Sequence, residues 1–329
     1  MSKSAKKKKV KIVSVWLCVL VFLLAFGAGV ASKFIITPSW AKAYSVKWSD
    51  EIGTLEADIP YGEGEANKFD LYLPADSGRE SYGLVVYLHA GGFTMGDKAD
   101  DKNTLAWLCS KGYVAAGINY TLHSEAHPEA SVLTQSNEIK AAMPQVIEAA
   151  RAAGYNVTEM AMAGGSAGAC LAMVYTYRDG AEAPVPIRML YQMVGPSSFY
   201  REDWGIYGLD KDTDESMDAT IALFGAMSGH EITREEVRSG AYQEYMEPIS
   251  AINYVKDNPV PSLLLYGTED RFQPYAAVYH LENALKTAGA DYQLFVAPHS
   301  GHGVQNDDAV MRQFMEAVDE YLDKYMPVK

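Results

Sequence analysis

The sequence is poor in cysteine, poor in positive charge beyond its first segment, and free of repeats. Its three cysteines, Cys18, Cys109 and Cys170, form no C-x-x-C pair and no metal-ligand spacing. That argues against a disulfide scaffold and a cysteine zinc site, and Cys109 and Cys170 read as buried thiols. Residues 1–32 hold six lysines and no acid, so the rest carries 22 basic and 42 acidic side chains, a net charge of −20. A body this acidic does not neutralise phosphates, which excludes nucleic acid as a partner and leaves solubility as the use of the charge. No internal repeat, coiled coil or low-complexity tract appears beyond the lysines. What is present is a chain of 329 residues, 48% of them hydrophobic, enough for a core that needs neither disulfide nor metal.

The lysines have a purpose of their own. Lys3, Lys6, Lys7, Lys8, Lys9 and Lys11 precede an uncharged run of 21 residues, 12–32. Such a run is long enough to cross a bilayer core as a helix, and lysines on its leading side predict a cytoplasmic N-terminus. The expectation is a basic tail plus signal anchor over 1–32, with the body on the extracytoplasmic side. The alternative is a signal peptide, cleaved after Ala31 or at Ala41-Lys42-Ala43, which would release a secreted body. Residues 33–54 read as a linker, and 55–329 as one domain.

Within that domain short apolar runs alternate with helical patterns. Residues 68–73 alternate like a strand. Residues 84–88, 114–118, 160–163, 189–194, 262–266 and 292–296 read as strands buried on both faces. Helical spacing covers 101–111, 135–153, 275–288 and 307–325, with Pro144 a candidate kink. This alternation predicts an α/β fold, a mostly parallel sheet with helices on both faces. Residues 199–248 break the pattern. They are acidic and aromatic and predict two short helices, near 216–227 and 233–242. An insertion there would lie over the sheet as a cap or lid, or else be plain surface packing.

The chemistry gathers at predicted strand ends. Gly164-Gly165-Ser166-Ala167-Gly168 matches G-x-S-x-G between an apolar run and a helical one, the setting of a nucleophile elbow. A serine on so sharp a turn leaves no room for side chains two residues away, which explains the glycines. His89-Ala90-Gly91-Gly92-Phe93 follows the run 84–88. A tetrahedral oxyanion needs preplaced donors, and the candidates are the N–H groups of Gly91, Gly92 and Ala167. His89 reads as a brace for that loop, with a simple packed histidine as the alternative. Serine also needs a base. His302, in Ser300-Gly301-His302-Gly303, is favoured by its flanking glycines, and His299 competes with it. The acid that would orient the base is Asp270, with Glu269 and Asp257 as alternatives. The order Ser, acid, His is that of α/β-hydrolases. The pair His299 and His302 could suggest a metal site, but no Cys or carboxylate cluster in the sequence completes one.

These motifs resemble a known family. The strings F-D-L-Y-L-P at 69–74, H-A-G-G-F, G-G-S-A-G, L-L-L-Y-G-T-E-D and H-S-G-H-G are similar to esterases and lipases with an H-G-G-G-type oxyanion loop. That branch includes hormone-sensitive-lipase-like and feruloyl-esterase-like bacterial carboxylesterases. The resemblance spans residues 55–325. It implies a single α/β-hydrolase domain with an eight-stranded sheet, a triad of Ser166, Asp270 and His302, and no cofactor. Two departures stand out: Ala90 replaces the first glycine, and Tyr120-Thr121-Leu122-His123-Ser124-Glu125 replaces Y-R-L-x-P-E. The reading is a serine carboxylesterase acting on a small-molecule or polysaccharide-linked ester. A serine peptidase on the same fold, or an inactive surface binding protein, would be the rival.

Overall fold

The computed structural model describes residues 39–328. The anchor or signal peptide expected over 1–32, and Cys18 with it, lie outside the described residues. Among the described residues no helix is long and apolar enough to cross a membrane. A short helix, α1 (Ser39–Ala43), belongs to a unit separate from the one that begins at Tyr44.

From Tyr44 onward the chain builds one sheet of eight strands: β1 (Gly53–Pro60), β2 (Lys68–Pro74), β3 (Tyr82–Leu88), β4 (Val114–Ile118), β5 (Val157–Gly165), β6 (Ile187–Met193), β7 (Ser262–Gly267) and β8 (Tyr292–Ala297). Their order is β1-β2-β4-β3-β5-β6-β7-β8. Only β2 runs against its neighbours, and the strands from β4 to β8 are mutually parallel. Successive side chains of β3 point to opposite faces, yet Leu84 through Leu88 are all buried, so both faces are covered. Helix α2 (Lys102–Ser110) packs on β2 and β4, and α3 (Val132–Ala152) on β2, β4 and β5. Helix α4 (Ala167–Val174) packs on β3, β5 and β6. Pro144 lies inside α3 without ending it. Cys109 and Cys170 are free and buried, and burial pushes each thiol up to about 12.

Three strand expectations need correction. The linker expected over 33–54 runs into β1, a strand absent from the expectation although Leu55, Ala57 and Ile59 alternate with polar residues. Only Gly53 of β1 is buried, because the strand is an edge with a single partner. Strand β2 does not alternate: Phe69 through Pro74 are all buried, since β1 and β4 flank it and α2 and α3 cover it. Asp70 is tolerated there because the buried Lys98 Nζ lies 3.2 Å away. Strand β8 is half-exposed rather than buried on both faces, being the other edge, paired only with β7.

The 199–248 segment forms a cap of α5 (Asp214–Ser228), α6 (Arg234–Ser239), α7 (Gln243–Met246) and short turns. It has its own aromatic core. The rings of Phe199, Trp204, Phe224 and Tyr242 are buried and stand 5.6–5.9 Å from one another in successive pairs. Two further helices, α8 (Val278–Ala288) and α9 (Asp308–Tyr325), complete the domain.

Candidate active site

Register decides where the chemistry emerges. Leu88 of β3 lies beside Ile118 and Gly164, and Gly165 lies beside Met193. Gly267 lies beside Ala297. The loops that leave β3, β5, β7 and β8 therefore open on one edge of the sheet, the carboxyl edge where ligands bind in open α/β sheets.

Ser166 sits between β5 and α4 with φ 53 and ψ −117, a conformation few non-glycine residues adopt. Its neighbours explain how the turn closes. A Cβ on Gly168 would lie 1.9 Å from the Leu88 carbonyl oxygen, and one on Gly164 would lie 2.5 Å from the Gly168 carbonyl carbon. The Ser166 N–H donates to the Met193 carbonyl at 2.8 Å, which ties the turn to β6. The hydroxyl is left partly exposed at the floor of a cleft of about 560 Å³.

The loop after β8 brings His302 to that hydroxyl. Its Nε2 is 2.7 Å from Ser166 Oγ, and its Nδ1 is 2.7 Å from Asp270 Oδ2. A carboxylate only accepts, so the ring proton sits on Nδ1 and Nε2 is free to accept from the serine. Asp270 follows β7 and its side chain is 1% exposed. Its other oxygen accepts the N–H groups of Phe272 at 2.7 Å and Gln273 at 3.0 Å. The rival residues lie elsewhere. His299 is 78% exposed and pairs with Asp307, while Glu269 and Asp257 are exposed.

Gly91 and Gly92 line the cleft with Ala167. Gly91 has φ 134 and a Cβ there would strike the Met95 carbonyl oxygen at 1.8 Å, so the turn admits glycine alone. Among the described residues no protein acceptor takes the N–H of Gly91, Gly92 or Ala167. His89 is buried beneath this loop. Its ring stacks on Tyr120 at 4.3 Å and 5°, its Nδ1 donates to the Ala90 carbonyl at 2.8 Å, and burial lowers its pKa. The segment that departs from Y-R-L-x-P-E serves the same loop. The Tyr120 hydroxyl donates to the His89 carbonyl at 2.9 Å, and Gln135 Nε2 donates to both Phe93 and Thr121 carbonyls, at 2.9 and 2.8 Å.

Other residues of the site carried no sequence pattern. Asp307 accepts the His299 N–H at 3.0 Å and the Ser300 hydroxyl at 2.6 Å, which closes the loop holding His302. From the cap, Trp204, Tyr207, Leu223 and Met227 wall the cleft. Their aromatic members were visible in the sequence, but their position over Ser166 was not. The Tyr207 hydroxyl donates to the Phe272 carbonyl at 3.1 Å and links the cap to the loop of Asp270. Among the described residues no group of three His, Cys, Asp or Glu side chains is arranged to hold a metal ion.

Known proteins resemble this chain in fold or in sequence. A truncated carbohydrate esterase from gut microbiota superposes with a TM-score of 0.66 at 19% identity, over 84% of this chain and 98% of that one. Ethyl acetate hydrolase of Pseudomonas putida is 26% identical over 263 residues, 76% of this chain and 73% of that enzyme. Kynurenine formamidase of Danio rerio is 28% identical over 122 residues, and the match spans only 39% of that enzyme's length. The profile of the BD-FAE family matches residues 69–285, which run from β2 through most of α8 and hold Ser166, Asp270 and the glycine loop at 89–93. The chain belongs to the BD-FAE family, a branch of the α/β-hydrolase esterases.

Proposed function

We propose that the protein is a serine carboxylesterase whose triad is Ser166, His302 and Asp270. One observation carries the reading: a single imidazole bonded at 2.7 Å to the serine oxygen on one side and at 2.7 Å to a buried carboxylate on the other. His302 Nε2 takes the Ser166 proton as Oγ attacks the ester carbonyl carbon. Asp270 holds the ring in the tautomer that can do this and stabilises the imidazolium that forms. The negative oxygen of the tetrahedral intermediate meets the N–H groups of Gly91, Gly92 and Ala167, donors already in place. Collapse breaks the ester C–O bond, and the departing alkoxide takes the proton from His302. Water then attacks the acyl-enzyme, gives a proton to His302, and the acid leaves as Ser166 Oγ recovers that proton.

The substrate reading is a small-molecule or polysaccharide-linked ester, met outside the cytoplasm. The lysine-led apolar run supports that location, with the body either anchored or released. Replacing Ser166 by Ala should lower hydrolysis of a p-nitrophenyl short-acyl ester by at least about 10⁴-fold while the fold persists. A variant that keeps the full rate, or a wild-type protein that a fluorophosphonate fails to label, would sink the proposal.

A further inference from the structure

The cleft over Ser166 is lined by sixteen residues, and none of them is Asp, Glu, Lys or Arg. An ion held there would lose its hydration with no opposite charge to replace it, so the part of the ester that enters is uncharged. The imidazole then sets a direction. His302 hands its proton to the leaving alcohol, so the alcohol lies on the His302 side of the reacting carbon.

Phe272 stands on that side. Its ring centroid is 5.2 Å from the His302 ring, inclined at 53°, and the residue is 63% exposed. A phenyl ring this exposed contributes little of the burial energy for which folding uses it, and exposed apolar side chains gathered at one place mark binding surfaces. Among the described residues seven large hydrophobic side chains are exposed, and three of them, Met95, Tyr207 and Phe272, line this one cleft. The mount of Phe272 is also fixed at both ends. Its N–H donates to Asp270 Oδ1 at 2.7 Å, and its carbonyl accepts from the Tyr207 hydroxyl at 3.1 Å. These bonds fix the backbone from which the ring projects, so little main-chain freedom is lost when a ligand stacks on it.

We propose that Phe272, with Tyr207 of the cap beside it, forms the leaving-group subsite and takes an uncharged ring with an apolar face. An aryl ring and a pyranose ring share that chemistry. The subsite rests on the esterase reading above, and its test separates the two. The full-length protein is assayed with three acetates that differ only in the alcohol: ethyl acetate, phenyl acetate and a mono-acetylated methyl pyranoside. The measured quantity is kcat/KM for each ring-bearing ester relative to ethyl acetate, compared between wild type and variant, so that intrinsic leaving-group reactivity cancels. Phe272→Ala should shrink that preference by about three- to tenfold, mainly through KM, the size of one aromatic stacking contact. Phe272→Trp should hold it within about twofold, since it restores a flat face. A drop confined to phenyl acetate assigns the subsite to aryl alcohols, and one confined to the pyranoside assigns it to sugars. Unchanged preference for both overturns the proposal, including the case where all three rates fall together and Phe272 only supports His302. A tryptophan variant that loses the preference as fully as alanine overturns it too. Ser166→Ala with surviving turnover would instead remove the esterase reading beneath it.

Discussion

Two histidine–aspartate pairs share the loop after β8, three residues apart, and they do different work. His302 bonds Asp270 at 2.7 Å, and His299 bonds Asp307 at 3.0 Å. By bond type alone they are alike. The difference lies in where each partner comes from and what the other nitrogen faces. Asp270 arrives from another strand end and is buried, and the far nitrogen of His302 meets a serine hydroxyl. Asp307 belongs to the same loop, and the His299 ring is 78% exposed. The first pair joins separate elements around the Ser166 hydroxyl. In the second, Asp307 closes the loop through the His299 N–H and the Ser300 hydroxyl, and the exposed His299 ring only adds to it.

Replacing each histidine in turn gives the largest test of this contrast. His302→Ala should reduce kcat on a p-nitrophenyl short-acyl ester by about 10⁴-fold or more, since the serine then has no base. His299→Ala should stay within about threefold, because an exposed ring bonded to its own loop contributes little. Comparable losses from both would erase the distinction.

The same contrast explains what could be read in the sequence. The elbow was legible because sterics demand glycine at 164 and 168, and residue type records that demand directly. The parallel strands were legible because burial on both faces leaves unbroken apolar runs. Strand β1 was less legible: Thr54 through Ile59 alternate polar and apolar, but the edge position leaves no unbroken apolar run and buries only Gly53. The choice between His302 and His299 rested on flanking glycines, a weak local cue, since the deciding contact with Ser166 spans 136 residues. Asp307 left no trace because its partners are a backbone N–H, a serine hydroxyl and an exposed histidine ring, which any acid near a loop can meet. Nor could residue spacing show that the cap would lean Tyr207 on the carbonyl of Phe272.

The two aspartates should separate less widely than the histidines. Asp270→Asn loses the acceptor that keeps the ring proton on Nδ1, and kcat should fall by about 10³- to 10⁴-fold. Asp307→Asn keeps the shape of the side chain but weakens the closure of the loop. A base displaced by a fraction of an ångström should cost about ten- to a hundredfold in kcat, with KM little changed. Asp307 also predicts a pH dependence. Burial pushes its pKa up, but the Ser300 hydroxyl and the two bonds from His299 outweigh that and hold it below the usual carboxylate range. A depressed folded value stabilises the fold above the ordinary range and loses that contribution as pH falls through it. Thermal unfolding of the wild type should therefore weaken more steeply below about pH 4 than that of Asp307→Asn. Parallel curves for the two proteins would show that the loop closure does not depend on the charge.

A third pair extends the comparison to the cap, where the effect should be smallest. His280 of α8 bonds Asp203 at 2.8 Å, with side chains 20% and 12% exposed. The Tyr200 ring lies 4.8 Å from the His280 ring, so the pair is packed as well as bonded. Neither residue lines the cleft or touches Ser166, yet Asp203 sits next to Trp204, which does line it. Asp203→Ala should therefore act on how the cap wall is held and not on proton transfer. KM for short-acyl esters should rise by about two- to fivefold while kcat stays within about twofold, the scale of one partly buried pair. The histidine side supplies a control, because His280→Gln retains a donor and should recover much of the wild-type KM. A fall in kcat that matched Asp307→Asn would mean that the cap, and not the His302 loop alone, sets the position of the base.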